Sequence, residues 1–194
     1  MKGPQRQFDR VHILRTLLIL EKEGRIGRKE LVKKLGLGEG SVRSVLKYLM
    51  EKDYVTSAVA KGHNLSKKGE EFVTTLHNFV LGPKIIDAKD LTIGGKDVAV
   101  LVKDTAKNVR LGINERDAAI KIGSLGATVL IVKNNELIFP DQTELKIRND
   151  NLYKSYDFRE GDVLLIGTDN SYEKAENAVI AALFVLIGDK IVLD

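Results

Sequence analysis

The chain has no cysteine and no tryptophan among its 194 residues, and only three prolines. Without cysteine there can be no disulfide, no thiol nucleophile and no thiolate metal site. Histidine is nearly as scarce: His12, His63 and His77 are scattered and form no H-x-x-x-H pair, so no metal site and no cofactor is expected. No run of about 18 apolar residues is present, which excludes a membrane-spanning helix. The opening stretch MKGPQRQFDR lacks the apolar core of a secretion signal, so a cytoplasmic location is the expectation, with no membrane partner. High charge with so few labile residues suits a protein from a hot environment.

Against these absences stand 43% hydrophobic and 30% charged residues, the balance of a globular chain with a real core. The length allows two small domains, and the charge is divided unevenly between two parts. Residues 1–82 hold 16 Lys and Arg against 9 Asp and Glu, a balance of +7; residues 83–194 hold 15 against 18, a balance of −3. A basic unit joined to a mildly acidic one fits a nucleic-acid-binding domain, 1–82, attached to a second domain, 83–194. Gly82-Pro83 is the expected boundary.

Apolar periodicity predicts four helices in the first part. Phe8 to Glu23 carries Val11, Leu14, Leu17, Leu18 and Leu20 and stops at Gly24. Arg28 to Leu35 buries Leu31, Val32 and Leu35 and stops at Gly36. A third helix runs from an N-cap at Gly38 to about Lys52, with Val42, Val45, Leu46 and Leu49 inward and Glu39 at the favourable end of the dipole. The β-branched stretch Asp53 to Ala60 and a turn at Lys61-Gly-His-Asn64 predict a small hairpin, and Ser66 to Val80 a closing helix.

The segments Ile26-Gly-Arg-Lys-Glu-Leu31, Leu35-Gly-Leu37, Ser41-Val-Arg43 with Leu46 and Leu49, and Leu65-Ser-Lys-Lys-Gly69 resemble winged helix-turn-helix transcription regulators of archaea and bacteria, over residues 10 to 80. The resemblance implies a mainly α winged helix-turn-helix domain that binds double-stranded DNA, with Gly38 to Lys52 as the recognition helix. In that role Ser41, Arg43, Ser44 and Lys47 would face DNA; Arg43 is the best candidate for base readout, and Lys47, one turn on, for phosphate. Arg28 and Lys29 would meet the backbone, and Lys61, His63 and Asn64 at the wing tip would enter or flank a minor groove. Glu39 would repel phosphate unless it faces a cytosine amino group or points away. A homodimer is expected, because such regulators usually read paired half-sites. Phe72, Leu76 and Phe79 either form the partner surface or pack inward.

The second part predicts an α+β domain. Continuous apolar runs at Asp97 to Lys103, Ala127 to Val132 and Asp162 to Gly167 have strand length, and Asn134-Asn135 is a hairpin turn. Asn108 to Gly112 is also strand-like. Two helices follow from the pattern, Asn114 to about Ile122 and Tyr172 to Ile187. Leu91-Thr-Ile-Gly-Gly-Lys96 lacks the spacing of a phosphate-binding loop and is taken as a turn.

Two polar groups could bind a small-molecule effector: Asn114, Arg116 and Asp117 with Lys121, and Thr168, Asp169 and Ser171 before the last helix. The simpler alternative is that Asn114 and Asn170 or Ser171 cap helices, Glu173 completing a capping box with Asn170. The expected function is a non-enzymatic transcription regulator whose second domain senses a ligand or mediates assembly. One alternative is a small-molecule-modifying enzyme with a regulatory winged helix, an organisation resembling some archaeal riboflavin kinases. Another is a protein-interaction adaptor using an exposed Ala175 to Ile187 helix.

Overall fold

The computed structural model describes residues 8–58 and 62–192, which form two compact units divided between Leu76 and His77. The division precedes Gly82-Pro83, because residues 80–86 form a strand that belongs to the second unit.

The first unit is mainly helical. Helix α1, Arg10–Glu23, is capped by Asp9, whose carboxylate accepts from the backbone N–H groups of Val11 and His12. It is buried on nearly all sides, and its buried residues include Arg15 and Thr16. Helices α2, Arg28–Leu35, and α3, Glu39–Glu51, follow the expected bounds; α2 is bracketed by Gly27 and Gly36, and α3 is opened by Gly38 and closed at Lys52. The Arg15 guanidinium donates to the carbonyls of Lys34, at 3.0 Å, and Leu35, at 3.3 Å, the last of α2. A cation therefore occupies the negative end of that helix.

Strands β1, Val55–Ala58, and β2, Gly62–Leu65, make an antiparallel hairpin, and Ile26 extends it by exchanging both backbone hydrogen bonds with His63. A Cβ on Gly62 would lie 2.6 Å from the Ile26 carbonyl oxygen at φ +89°, so only glycine admits this pairing. Helix α4, Lys67–His77, is shorter than the periodicity suggests, and Val80 leaves it to begin the next strand. The Ser66 hydroxyl bridges its start, donating to the Asp53 carbonyl and accepting from the Gly69 N–H. Gly69 is forced by packing: a Cβ there would sit 2.2 Å from the Tyr54 carbonyl oxygen. Phe72 packs edge-on against Tyr54, which favours the inward alternative for that side chain.

The second unit is α+β. Its six-stranded sheet has the order β3-β4-β8-β5-β6-β7 with every neighbouring pair antiparallel. The strands are β3, Val80–Ile86; β4, Lys96–Val102; β5, Gly126–Lys133; β6, Glu136–Phe139; β7, Gln142–Lys146; and β8, Val163–Asp169. Helices α5, Ile113–Lys121, and α7, Tyr172–Ile187, cover one face, where Gly167 lets the α7 backbone rest directly on β8. The opposite face, with Ala99, Leu101, Leu130, Val132, Leu164 and Ile166, is closed by Leu152 of the short helix α6, Asp150–Ser155, together with Ile147 and Tyr156. Covered on both faces, β8 is buried along its whole length, which explains its uninterrupted apolar run.

The structure corrects several expectations for this part. Asn108 to Gly112 is not a strand but a 3-10 turn followed by bends, and α5 is capped by Gly112 rather than Asn114. Helix α7 is capped by Ser171, whose hydroxyl oxygen accepts from the Lys174 N–H, rather than through an Asn170 box. That helix is largely buried from Ala175 to Ile187, which removes the exposed surface the adaptor reading required.

Candidate nucleic-acid interface

The exposed surface built by the starts of α2 and α3 follows from their buried faces. With Val42, Val45, Leu46 and Leu49 fixed in the core, Arg43, Ser44 and Lys47 project to solvent. Glu39, Arg43 and Lys47 recur every four residues and form one stripe along α3, with Arg28 and Lys29 exposed at the start of α2. The Arg28 guanidinium meets Glu39 Oε1 at 2.8 Å, joining the first turns of the two helices. Lys47 approaches Glu51 at 3.7 Å, and with most of its side chain in water this pair is weak.

Ser41 is not part of this face. It is buried at 7% exposure, because it lies one turn before Val45 on the inward side of α3. Ser44 is exposed, and its hydroxyl donates to the Gly40 carbonyl at 3.0 Å, so it meets a partner only through its lone pairs.

His63 and Asn64 do not sit at a hairpin tip either: both lie within β2, because the strand begins at Gly62. Asn64 is engaged inside the hairpin, accepting from the Thr56 hydroxyl at 3.2 Å and donating to the Leu65 carbonyl at 2.9 Å. His63 Nδ1 is buried without a hydrogen-bond partner among the described residues. Burial, and secondarily the nearby charge of Arg28, hold the imidazole below its ordinary pKa, while its backbone bond with Ile26 acts the other way. Lys61 lies outside the described residues.

Three glycines border the stripe for no packing reason. A Cβ at Gly27, Gly38 or Gly40 would meet nothing within 4 Å, and none of the three has a positive φ. The backbone beside Glu39 is therefore bare on both sides, although alanine would fit and would favour the helix at position 40.

The two polar groups of the second unit differ in their surroundings. Arg116 pairs with its neighbour Asp117 at 3.2 Å, and Asn114 and Lys121 are exposed. Thr168 and Asp169 are buried and used in the fold. The Thr168 hydroxyl oxygen accepts from Gly94 N–H at 3.0 Å, and the Asp169 carboxylate accepts from Leu125 and Asn170 N–H at 3.0 and 2.7 Å. Ser171 caps α7, as the simpler alternative had it. Sequence reasoning missed Asp97, which faces Thr168 across β4 and β8; its Oδ2 accepts from Ala88 N–H, and its Oδ1 is buried without a partner among the described residues. Among the described residues no group of three or more His, Asp and Glu could hold a metal, and no helix is long and apolar enough to cross a membrane.

Residues 12–71 match the family model for the PH0730-like N-terminal domain, and residues 93–186 match a domain of unknown function (DUF4443). The gap between the two matches contains the observed division at Leu76 and His77. The chain is similar to the solved structure of hypothetical protein PH0730 from Pyrococcus horikoshii OT3, with 28% identity over 96% of each chain and a TM-score of 0.81. No curated protein matches it.

Proposed function

We propose that the chain is a sequence-specific DNA-binding transcription regulator of the winged helix-turn-helix type. In this reading α2 and α3 form the helix-turn-helix, α3 is the recognition helix, and the β1–β2 hairpin is the wing. The observation that carries it is the two-sided character of α3: an apolar side locked in the core and an outer stripe in which Arg43 and Lys47 stand one turn apart. The surplus of basic residues up to Gly82 supports a polyanionic partner.

Arg43 is the side chain with the reach and fork geometry to bond guanine, while Lys47, Lys29 and Arg28 supply phosphate contacts. His63 and Asn64 serve the hairpin itself, so neither is assigned a minor-groove contact. The second unit is the candidate for pairing two copies on paired half-sites, or for holding an effector that favours one DNA-binding arrangement over another.

The test is a mobility-shift titration of the full chain against genomic fragments at several salt concentrations. Salt-sensitive, sequence-dependent binding that weakens in Arg43→Ala is expected; absent or salt-insensitive binding counts against the proposal.

A further inference from the structure

The Arg28–Glu39 pair raises a question the regulatory reading does not answer. A carboxylate at the front of a DNA-reading helix is repelled by phosphates, yet Glu39 is exposed and shares the stripe of Arg43. Its Oε1 is held by Arg28 at 2.8 Å, while more than half of the Glu39 side chain stays exposed to solvent. The guanidinium therefore does two things at once. It offsets the negative charge, and it restrains a carboxylate that remains open to solvent.

We infer that Glu39 is a specificity-determining residue whose carboxylate reads a cytosine amino group in the major groove, with Arg28 as its positioning residue. The inference rests on the proposal that α3 enters DNA.

Three observations converge on it. Carboxylates accept from cytosine N4 as arginine donates to guanine O6 and N7, so Glu39 and Arg43, one turn apart on one stripe, make a complementary pair of readers for neighbouring base pairs. Gly38 and Gly40 flank Glu39 with no side chain, and among the described residues no atom lies within 4 Å of where their Cβ would sit. A base edge can approach that carboxylate without obstruction. Finally, Arg28 is itself set in place at the start of α2, two residues after Ile26, whose backbone is paired to His63 of β2. The anchor for Glu39 thus comes from a rigid part of the unit rather than from a loop.

The test is selection from a randomised duplex pool with the full chain, comparing the unaltered protein with Glu39→Ala, Glu39→Gln and Arg28→Met, alongside thermal melting of each. The unaltered protein should select a motif with a C·G pair within a few base pairs of the guanine read by Arg43. Glu39→Ala should lose discrimination at that pair alone, by about 5- to 100-fold, while keeping or raising affinity for unrelated duplex. Arg28→Met should blur the same position, and Glu39→Gln should move its preference away from cytosine, toward adenine.

An unchanged motif in both Glu39 variants would overturn the inference and leave the regulator proposal standing. Loss of discrimination at every position with a lowered melting temperature would also overturn it, by making the pair a structural staple. Failure of the unaltered protein to select any motif would remove the regulator proposal itself.

Discussion

Replacing Arg15 with methionine should destabilise the first unit more than any exposed substitution, although the change puts an apolar chain into a buried site. Arg15 is 1% exposed, and its guanidinium satisfies the carbonyls of Lys34 and Leu35 at the end of α2. Methionine can occupy the space of the stem but cannot donate. The two carbonyls then stay behind, one bond buried and the other partly so, and each unmet acceptor costs about 1–3 kcal/mol. Loss of a cation at the helix C-terminus adds about 0.3–1 kcal/mol, and the removed desolvation of the guanidinium returns part of the sum. Because the acceptors remain after the charge has gone, the cost wins, and a net loss of about 3 kcal/mol is expected. For a unit of this size that corresponds to roughly 12–24 °C in melting temperature. Far-UV circular dichroism during urea unfolding of the full chain would read it, with the helical first unit melting earlier and the sheet-rich second unit unshifted. Arg43→Met, the same chemical change on the exposed face, should alter stability by less than about 0.5 kcal/mol. An Arg15→Met protein as stable as the Arg43→Met control would refute the capping role.

The glycines predict opposite signs at different places. Gly40→Ala should stabilise α3 by about 0.5–1 kcal/mol in denaturant titrations, since its Cβ points into open space; a destabilised variant would mean that the space is filled. Gly167→Ala should cost about 3 kcal/mol or leave the second unit unfolded, because the added carbon would lie 2.2 Å from the Ala175 carbonyl oxygen. His63 has a folded pKa below its ordinary value of about 6.5, so the unfolded chain takes up the proton first. Its contribution is intact above that value and is lost as pH falls from about 6.5 through the folded pKa. The pH dependence of unfolding between about 7 and 5 should therefore flatten in His63→Gln, and an unchanged slope would contradict the assignment. Thr168→Val removes the acceptor for Gly94 N–H and should cost about 1–2 kcal/mol in the unfolding of the second unit.

Much of the helical first unit was legible because its punctuation is glycine. Gly27 and Gly36 bracket α2, Gly38 opens α3, and the apolar spacing between them has a single helical solution. What escaped were side chains that break the polar-outside rule. Ser41 reads as a surface residue until its place one turn before Val45 is fixed, and Arg15 reads as a gap in the stripe of α1 although it holds the end of α2. In the second unit the central strands were visible as apolar runs, and Asn134 and Asn135 take the positive φ expected of their turn. Strand β3 was hidden by Gly82-Pro83, which occupies a register shift between Leu81 and Lys84 rather than a linker. Strand β7 was hidden because Gln142-Thr-Glu-Leu-Lys146 has little apolar alternation at the edge of the sheet. The candidate ligand residues Thr168 and Asp169 looked functional for being polar beside a helix start; their oxygens are in fact accepting backbone N–H groups from neighbouring loops.

The measurement closest to the central proposal is a fluorescence-anisotropy titration of the full chain with a selected duplex and a scrambled one, repeated across salt concentrations and with Arg43→Ala and Lys47→Ala. The regulator proposal predicts tighter binding to the selected duplex and a steep fall in affinity with salt. Arg43→Ala should lose about 5- to 150-fold on the selected duplex only, while Lys47→Ala should weaken both duplexes and reduce the salt slope by about 1. Equal, salt-insensitive binding of both duplexes, or no binding to either, would contradict it.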